Sequence, residues 1–480
     1  MACPTDPAEP TESPEYGEYG EENPQPSPRE SMPAYRPDAT APAQTPWSRL
    51  QRVLFRFALL YFFVYSAQSV AGQFTTYLSK DAQTWVAEHV FGPWSKAEDD
   101  LVLWTGAKFF GLTITVRPAG SGDTTWNYVQ LVDLAAIAAA GTLLWTLLDE
   151  LVRRAAGWGP GHHRRLRDGL RVGLRFVLGV TLIGYGCAKV IPSQMPEPGL
   201  DRLAQPFGTA SPMGLLWTFL GASKGYEIFS GAAELLAGWL LVTRWTTTLG
   251  ALMAAAVMGN VVALNFFYDT PVKLYSSHLF LMAVVLVVPE IPRLARFFVL
   301  NRTTPAAQMG RVFPWKWANY GALALCVFHF GYATRQSLRQ SRTYYDMQRE
   351  QAAQAQSPLH GNWAVTSFEL DGAPAVGTED EAWRRLVVGR FYFNLETVKD
   401  PSTRYFAQLD AKAKRVVLMK RGAPNWKANL GWDLPEPDQL QIEGKFDGHD
   451  VFVEFKRSSV ERYFLMTRGF HWINEYPDNE

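Results

Sequence analysis

The sequence is poor in cysteine. Its 480 residues include only Cys3, Cys187 and Cys326, which stand far apart. Without a C-x-x-C pair or a Cys/His cluster, the chain has no dithiol redox motif, no metal-binding motif and no disulfide framework. It also has no G-x-G-x-x-G loop after a strand, the signature of a bound dinucleotide. We therefore expect no metal site, and the sequence leaves the identity of any cofactor unknown.

The chain also lacks a net charge. Its 46 lysines and arginines balance 46 aspartates and glutamates, so the composition gives no indication of a nucleic-acid partner. The mean hydropathy of −0.11 averages an apolar middle with two polar ends. This combination is typical of a membrane protein with soluble appendages, for which the lipid bilayer is the first expected partner.

The N-terminal region has almost no aliphatic residues. Residues 1–46 are rich in Pro, Glu, Ser and Thr, so they cannot bury enough apolar surface to offset the entropy of ordering. We predict a disordered tail. The first apolar segment begins near residue 53, which is too far into the chain for an ordinary signal peptide. We therefore expect that segment to remain as the first membrane span.

Long apolar segments recur through the middle of the chain. A hydrocarbon layer of about 30 Å requires roughly 20 apolar residues in a helix. Seven segments approach this requirement, at residues 53–70, 129–152, 170–191, 226–242, 246–267, 272–288 and 315–332. Residues 213–221 form either a separate segment or the start of a longer fourth span. The sequence thus predicts a mainly α-helical polytopic membrane protein of about seven spans.

Arginines between these segments indicate an orientation. Lysine and arginine accumulate in cytoplasmic loops, and seven spans would place most of the loop arginines on one side: Arg49, Arg52, Arg153, Arg154, Arg164, Arg165, Arg167, Arg244, Arg293, Arg296, Arg302 and Arg311. Arg335, Arg339 and Arg342, just after the last span, run against this assignment. We predict a bacterial inner-membrane protein with a cytoplasmic N terminus and an external C-terminal domain. The aromatic loop 72–127 would be external and could cap the bundle at the bilayer surface.

From His360 onward the pattern changes from helical to alternating. Apolar residues recur at every second position in 390–396, 440–446 and 451–455, and turn residues such as Asp447-Gly448 separate the runs. This period indicates antiparallel strands, and about 120 such residues suit a small barrel. The opening Gly361-Asn362-Trp363 resembles the G-x-W start of a lipocalin-type barrel. The predicted organisation is a tail at 1–46, two spans with a long loop at 47–169, a helical core at 170–335, a linker at 336–358 and the β domain at 359–480.

Carboxylates interrupt the fourth predicted span. Glu227, Gly231, Glu234 and Gly238 are spaced four, three and four residues apart, so they form one stripe along a helix. The glycines would let a neighbouring helix approach closely, and the carboxylates would then face protein rather than lipid. Candidate cations are Lys189 and Lys273. Glu234 lies about two turns deeper than Glu227, and a mid-span carboxylate indicates a functional site by default.

Further polar residues follow in the next two spans. Asn260 and Asn265 are about 140° apart around a helix axis, so we expect one to bind the glutamate stripe and the other to face a different helix. Tyr275 and His278 lie three residues apart and share a face. Alternative interpretations remain open for these residues. The asparagines could simply join helices, Asp269 and Lys273 could form a solvated loop pair, and His278 could be a structural histidine.

Several of these motifs together resemble the DoxX-like family of bacterial membrane proteins. They are Tyr185-Gly186-Cys187-Ala188-Lys189-Val190, Gln205-Pro206-Phe207-Gly208, the stripe from Glu227 to Glu234, Thr246-Thr247-Thr248-Leu249-Gly250 and the segment from Asn260 to His278. The resemblance covers roughly residues 170–300. It implies a helical membrane core and an association with membrane oxidoreductase systems, including quinone-linked ones. This chain is much longer than a minimal four-helix member of that family.

Two classes of function fit these observations. The first is a quinone-linked oxidoreductase, or a subunit of one, in which a redox partner protein carries the flavin, metal or thiol. Its catalytic residues would be Glu234, His278 and Lys189. The ligand-binding residues would be Glu227, Asn260, Asn265, Asp269, Lys273 and Tyr275. The second class is a non-enzymatic binder or carrier of a lipophilic molecule, with the barrel as a further candidate binding module, or a scaffold for envelope assembly.

Overall fold

The structure is a computed structural model. It describes residues 47–116, 122–156, 164–305, 313–353, 357–375, 382–389, 392–400, 403–420, 423–458 and 463–468. The predicted tail at 1–46 lies outside the described residues, as do parts of the predicted strands and turns near 391 and 401.

Thirteen α-helices occur within the described residues. They are α1 Arg49–Thr75, α2 Lys80–Val86, α3 Gly92–Phe110, α4 Thr125–Ala156, α5 Arg164–Val190, α6 Leu200–Leu203, α7 Pro212–Ala222, α8 Lys224–Leu240, α9 Thr247–Phe267, α10 Lys273–Val287, α11 Ile291–Leu294, α12 Lys316–Ala353 and α13 Phe464–Thr467. The segment 213–221 is a helix of its own, because Ser223 adopts an extended conformation between α7 and α8 and caps α8 through its hydroxyl.

Within the described residues, five helical segments are long and apolar enough to cross a membrane. These segments are Arg49–Thr75, Thr125–Ala156, Leu166–Val190, Thr247–Phe267 and Lys273–Val299. The helical membrane fold is confirmed, with five segments of the described residues meeting the length and composition of a span where the sequence predicted about seven spans. The predicted spans 226–242 and 315–332 do lie in helices, α8 and α12. However, α8 has only 17 residues, about 25 Å of helix, which is shorter than the hydrocarbon layer. The predicted span in α12 is rich in Trp, Tyr and His, which are less apolar than the aliphatic residues.

The apolar core of the bundle lies where α1, α4, α5, α8, α9 and α10 meet. Its fully buried members include Leu178, Leu241, Met282 and Leu286. The loop 72–127, which was predicted to be external and to cap the bundle, is largely helical in its described residues. Its α3 packs on α4, where Gln130 donates to Glu98 at 2.6 Å, and it contacts α1, where Gln68 donates to Ser95 at 3.2 Å.

The C-terminal domain is a closed antiparallel barrel of eight strands. Nine strands are described, of which all but β2 form the barrel: β1 Gly361–Leu370, β2 Ala373–Pro374, β3 Trp383–Val388, β4 Tyr392–Thr397, β5 Thr403–Asp410, β6 Arg415–Lys420, β7 Ala423–Glu436, β8 Gln439–Phe446 and β9 His449–Arg457. The two-residue β2 pairs only with β1, and closure comes from pairing of β1 with β9, with Val365 opposite Phe455. Asp447 and Gly448 both adopt positive φ in the turn between β8 and β9, as the turn prediction requires.

Side chains fill the inside of the barrel. The alternation predicted from the sequence is confirmed, since Phe393, Leu440, Val453 and Phe455 are all buried. Trp363 of the G-x-W motif is fully buried, its indole N–H donates to the Leu359 carbonyl at 2.8 Å, and Arg457 covers its ring. Desolvation in this interior raises the pKa of Tyr405 to about 12. The barrel therefore has a dry, aromatic core.

The outer face of the barrel docks on the loop between α5 and α7. Arg404 of β5 forms an ion pair with Asp201 of α6. Asn394 of β4 donates to the Asp201 carbonyl at 3.1 Å, and Arg385 of β3 donates to the Ala204 carbonyl at 3.2 Å. Asn394 points away from the barrel core yet is only 8% exposed, because the loop covers it. The bundle and the barrel are thus joined by specific polar contacts.

This docking contact can be tested by charge reversal. We expect each single variant, Asp201→Arg or Arg404→Asp, to weaken the contact between the α5–α7 loop and the barrel. The double variant should restore most of that contact. Because Arg404 is about one-third exposed, the coupling free energy should be only about 1 kcal/mol. Amide hydrogen exchange of residues 199–206 in the full-length protein measures this opening. Equal opening in the double variant and the single variants would contradict the pairing.

Candidate functional site

Helices α5 and α8 pack against each other through glycine. The predicted stripe on α8 is buried, with Glu227, Gly231, Glu234 and Gly238 all facing protein. A Cβ atom added at Gly231 would lie 2.5 Å from the Cβ atom of Lys189, and one added at Gly238 would lie 2.8 Å from the Gly179 carbonyl oxygen. Only glycine allows this approach, so the stripe sets the distance between the two helices.

The close contact between these helices brings a lysine to the deeper glutamate. Lys189 Nζ lies 2.5 Å from Glu234 Oε1, and both side chains are nearly buried. The second carboxylate oxygen, Oε2 of Glu234, is buried and has no hydrogen-bond partner among the described residues. Of the two candidate cations it is therefore Lys189 that pairs with the stripe, and one oxygen of Glu234 remains available as an acceptor.

Glu227 has a different environment. Its Oε1 accepts a hydrogen bond at 3.0 Å from the backbone N–H of Met195, in the loop that follows α5. This side chain is 1% exposed. The contact fastens the start of that loop to α8, so the geometry gives Glu227 a role in holding the loop.

His278 binds a tyrosine of the first helix. Its Nδ1 lies 2.7 Å from the Leu274 carbonyl oxygen, and its Nε2 lies 2.6 Å from the Tyr61 hydroxyl. Because a carbonyl can only accept, Nδ1 carries the hydrogen, and in the neutral ring Nε2 accepts from Tyr61. Tyr65, one turn further along α1, stacks on the imidazole with ring centroids 4.2 Å apart. α1 and α10 are thus joined by a defined hydrogen-bond relay.

Tyrosines connect the histidine to the ion pair. The rings of Tyr185 and Tyr275 lie 6.4 Å apart, and Lys189 Nζ lies 5.9 Å from the Tyr185 ring. Tyr65 lies near Tyr275 and Tyr185, and Tyr185 lies near Glu234. We define the central polar site as the following residues: Tyr61, Tyr65, Tyr185, Lys189, Glu234, Tyr275 and His278.

Three hydroxyls of the central polar site are open, in the sense that they have no hydrogen-bond partner among the described residues. Among the described bundle helices, the tyrosine hydroxyls that bind protein atoms belong to Tyr61, Tyr77 and Tyr332. Those of Tyr65, Tyr185 and Tyr275 do not, and Tyr185 is 40% exposed. The site therefore offers several hydrogen-bond donors beside a lysine–glutamate pair, with access from the outside of the bundle.

The two predicted asparagines lie apart from the glutamates. Asn265 is buried and donates to the Ser276 hydroxyl at 3.0 Å, which joins α9 to α10. Asn260 is exposed on α9. The expectation that one of them binds the glutamate stripe was wrong, because α9 turns Asn265 toward α10 and Asn260 outward. Within the described residues, the geometry of Asn265 fits the alternative in which an asparagine joins helices.

Asp269 and Lys273 form a surface pair. Their charged atoms lie 2.8 Å apart, and the Asp269 side chain is 81% exposed. Asp269 has a φ of +50° in the turn before α10. Asp123, at the end of the neighbouring loop, accepts hydrogen bonds from the backbone N–H groups of Lys273 and Leu274 and so caps α10. The structure thus places these two predicted ligand-binding residues at a helix start, outside the central polar site.

Sequence reasoning missed the tyrosines of α1. Tyr61 and Tyr65 are four residues apart on one helix face, a spacing readable from the sequence. A second pair of this kind lies elsewhere in the bundle, where His329 of α12 binds the Tyr77 hydroxyl at 2.7 Å. Tyrosine is common near membrane interfaces, so only the partner histidines on distant helices distinguish these residues.

One relative of the chain was found among curated proteins: the uncharacterized protein YwoB of Bacillus subtilis (strain 168) is 34% identical over 128 residues, a match that covers 25% of this chain and 80% of YwoB. No family model matches the chain. No solved structure matches it either.

Proposed function

This chain belongs to the same family as YwoB, a protein whose name records no activity, and from that premise we propose a function based on its central polar site. The site binds the head group of a lipophilic quinone-type molecule, and the protein is a quinone-linked membrane oxidoreductase or a subunit of one. The observation that carries this proposal is the set of three open tyrosine hydroxyls beside the Lys189–Glu234 pair.

The chemistry of a quinone matches these groups. Its two carbonyl oxygens accept hydrogen bonds, which Tyr185 and Tyr275 can donate from neighbouring helices. Its reduction to the quinol consumes two electrons and two protons. In our proposal the protons pass through Lys189–Glu234 and the Tyr61–His278 relay, and the electrons come from a partner protein that carries flavin, metal or thiol. The DoxX-like motifs around Tyr185 and Lys189 support the redox assignment, and membership of that family is part of the proposal.

The proposed location is a bacterial inner membrane. The contact of the barrel with the α5–α7 loop supports the proposed topology. Because the two touch, they lie on the same side of the membrane, so the chain crosses the membrane an even number of times between them. Two crossings by α9 and α10, or four crossings by α8, α9, α10 and α12, meet this requirement. With the arginines near α1 in the cytoplasm, the central polar site lies toward the external leaflet and the barrel lies outside. The lipocalin likeness of the barrel likewise remains a prediction.

A non-enzymatic carrier is the second candidate function, and it uses the same site. The barrel was the other candidate binding module, but its interior is filled by Trp363, Trp383 and Phe455. This packing favours the bundle as the place where a lipophilic molecule binds. A carrier and an oxidoreductase differ in whether the bound quinone is reduced when a two-electron donor protein is supplied.

Binding can be tested with decylubiquinone and the full-length protein in lipid nanodiscs. We expect Glu234→Gln to weaken binding by about 10- to 100-fold, because it removes the charged partner that holds Lys189, the hydrogen-bond donor of the pair, in place; hydrogen bonds to charged groups are worth about 1.5–3 kcal/mol. Tyr185→Phe and Tyr275→Phe should each cost about fivefold. Mass spectrometry of co-purified lipophilic molecules should rank the variants in the same order, by the amount of quinone that each retains.

Glu197→Gln is the matched control. Glu197 also pairs with a lysine, Lys224, at 3.0 Å, but both side chains are more than half exposed. We expect this variant to bind like the wild type. Equal binding by wild type and Glu234→Gln, with both folded, would exclude the central polar site and leave a scaffold role as the remaining hypothesis.

A further inference from the structure

Helix α4 carries a buried carboxylate outside the central polar site. Asp133 is only 8% exposed although it lies within a helix that is apolar enough to span the membrane. The Thr105 hydroxyl of α3, itself 6% exposed, forms a hydrogen bond to this carboxylate. Oδ2 of Asp133 is buried and has no partner among the described residues. Residues of this kind indicate function by default, because an unpaired charge in an apolar environment is costly.

Several charged groups on neighbouring elements bind other partners. On α1, Arg56 binds Thr146 and Asp149, about four turns further along α4. At the start of α10, Lys273 pairs with Asp269 and Asp123.

On α3, Glu98 binds Gln130 at 2.6 Å. Asp133 is buried and forms a hydrogen bond with Thr105, and among the described residues no cation interacts with it.

The surroundings of Asp133 favour a proton over a metal cation. A sodium or calcium ion needs about six oxygen ligands, whereas one carboxylate and one hydroxyl meet here. A proton needs only the unpartnered oxygen. We propose that Asp133 is a proton-binding site, separate from the central polar site, with the proton on Oδ2. This inference does not depend on the function proposed above.

A polar route leads from this carboxyl to the surface. Gln130 and Asp133 are three residues apart, so they share a face of α4. Gln130 binds Glu98, which is partly exposed on α3. The Gln130–Glu98 pair therefore lies on the Asp133 face of α4, with the Glu98 carboxylate as the proton-accepting group at the surface.

Dicyclohexylcarbodiimide tests this assignment, because it reacts with protonated carboxyls in apolar surroundings. The acid proton moves to a carbodiimide nitrogen, the carboxylate oxygen bonds to the central carbon, and acyl migration gives a stable N-acylurea without loss of atoms. We expect the peptide containing Asp133 to be labelled at neutral pH in the full-length protein. Labelling should fall about tenfold for each pH unit above the midpoint of the carboxyl titration.

Infrared spectroscopy provides a second readout. The carbonyl band of a protonated carboxyl should be present at neutral pH and should be lost in Asp133→Asn, a variant that keeps the side-chain volume and can still bind Thr105. Asp149, which pairs with Arg56 and Arg153, is the internal control and should stay unlabelled. Absence of an Asp133-dependent carbonyl band would overturn the proposal. Protection from labelling by sodium chloride but not by choline chloride would overturn it in favour of a sodium site.

Discussion

Lys189→Met is expected to lower the free energy of unfolding by about 3–5 kcal/mol, the range for breaking a buried ion pair. The variant leaves Glu234, which is 3% exposed, without its cation between two closely packed helices. Thermal or denaturant unfolding of the detergent-solubilised protein measures the loss. Adding Glu234→Gln to Lys189→Met should recover most of it, because a neutral pair no longer contains an uncompensated charge.

Lys224→Met is the control for this experiment. It breaks a lysine–glutamate pair of similar geometry, with 3.0 Å between Lys224 and Glu197, but the pair is exposed. Exposed pairs contribute roughly 0–1 kcal/mol, so the control should unfold almost like the wild type. Similar losses for the two lysine variants would contradict the view that burial makes the Lys189–Glu234 pair important.

Gly231→Ala should also destabilise the protein, by about 1–3 kcal/mol, as overpacking does. The new methyl group would meet Lys189 Cβ at 2.5 Å, the Val190 backbone nitrogen at 2.7 Å and the Gly186 carbonyl at 2.8 Å. Two of these three atoms belong to the backbone, so α5 and α8 must move apart and the ion pair must lengthen. Unfolding measurements give the loss of stability, and quinone binding reports the lengthening of the ion pair.

The matched control is Gly184→Ala on the facing helix. A Cβ atom added at Gly184 would meet nothing within 4 Å. Because alanine is a better helix former than glycine by about 1 kcal/mol, this variant should be neutral or more stable. The two substitutions are chemically identical, so opposite signs would isolate the effect of helix contact. A stabilised Gly231→Ala variant would contradict the tight α5–α8 packing.

The sequence predicted the glutamate stripe well because helix periodicity is a local property. Residues four, three and four apart must share a face, and small residues between carboxylates indicate a close neighbour. The identity of the cation was left open between Lys189 and Lys273. That choice depends on which helices pack side by side, and periodicity carries no information on neighbours.

The aromatic half of the site could not be derived from the sequence for the same reason. Tyr61 and His278 are separated by 217 positions, and either residue alone is ordinary for a membrane helix. The asparagine prediction failed similarly, since the 140° separation correctly implied that Asn260 and Asn265 face different directions but could not show which direction leads to the glutamate stripe. The β domain was easier, because its alternation and turn residues are both local signals.

The docking of the barrel also constrains how the protein is made. Asp201 and Asn394 are separated by 193 residues in the chain, so the α5–α7 loop leaves the ribosome long before its partner strands do. Because strands β3, β4 and β5 only acquire their outer face once they are paired, the loop must await the folded barrel on its own side of the membrane. Asp201 and Ala204 therefore cannot bind their barrel partners while the last helices are being synthesised, and the contact with Arg404 forms only after these strands have been made.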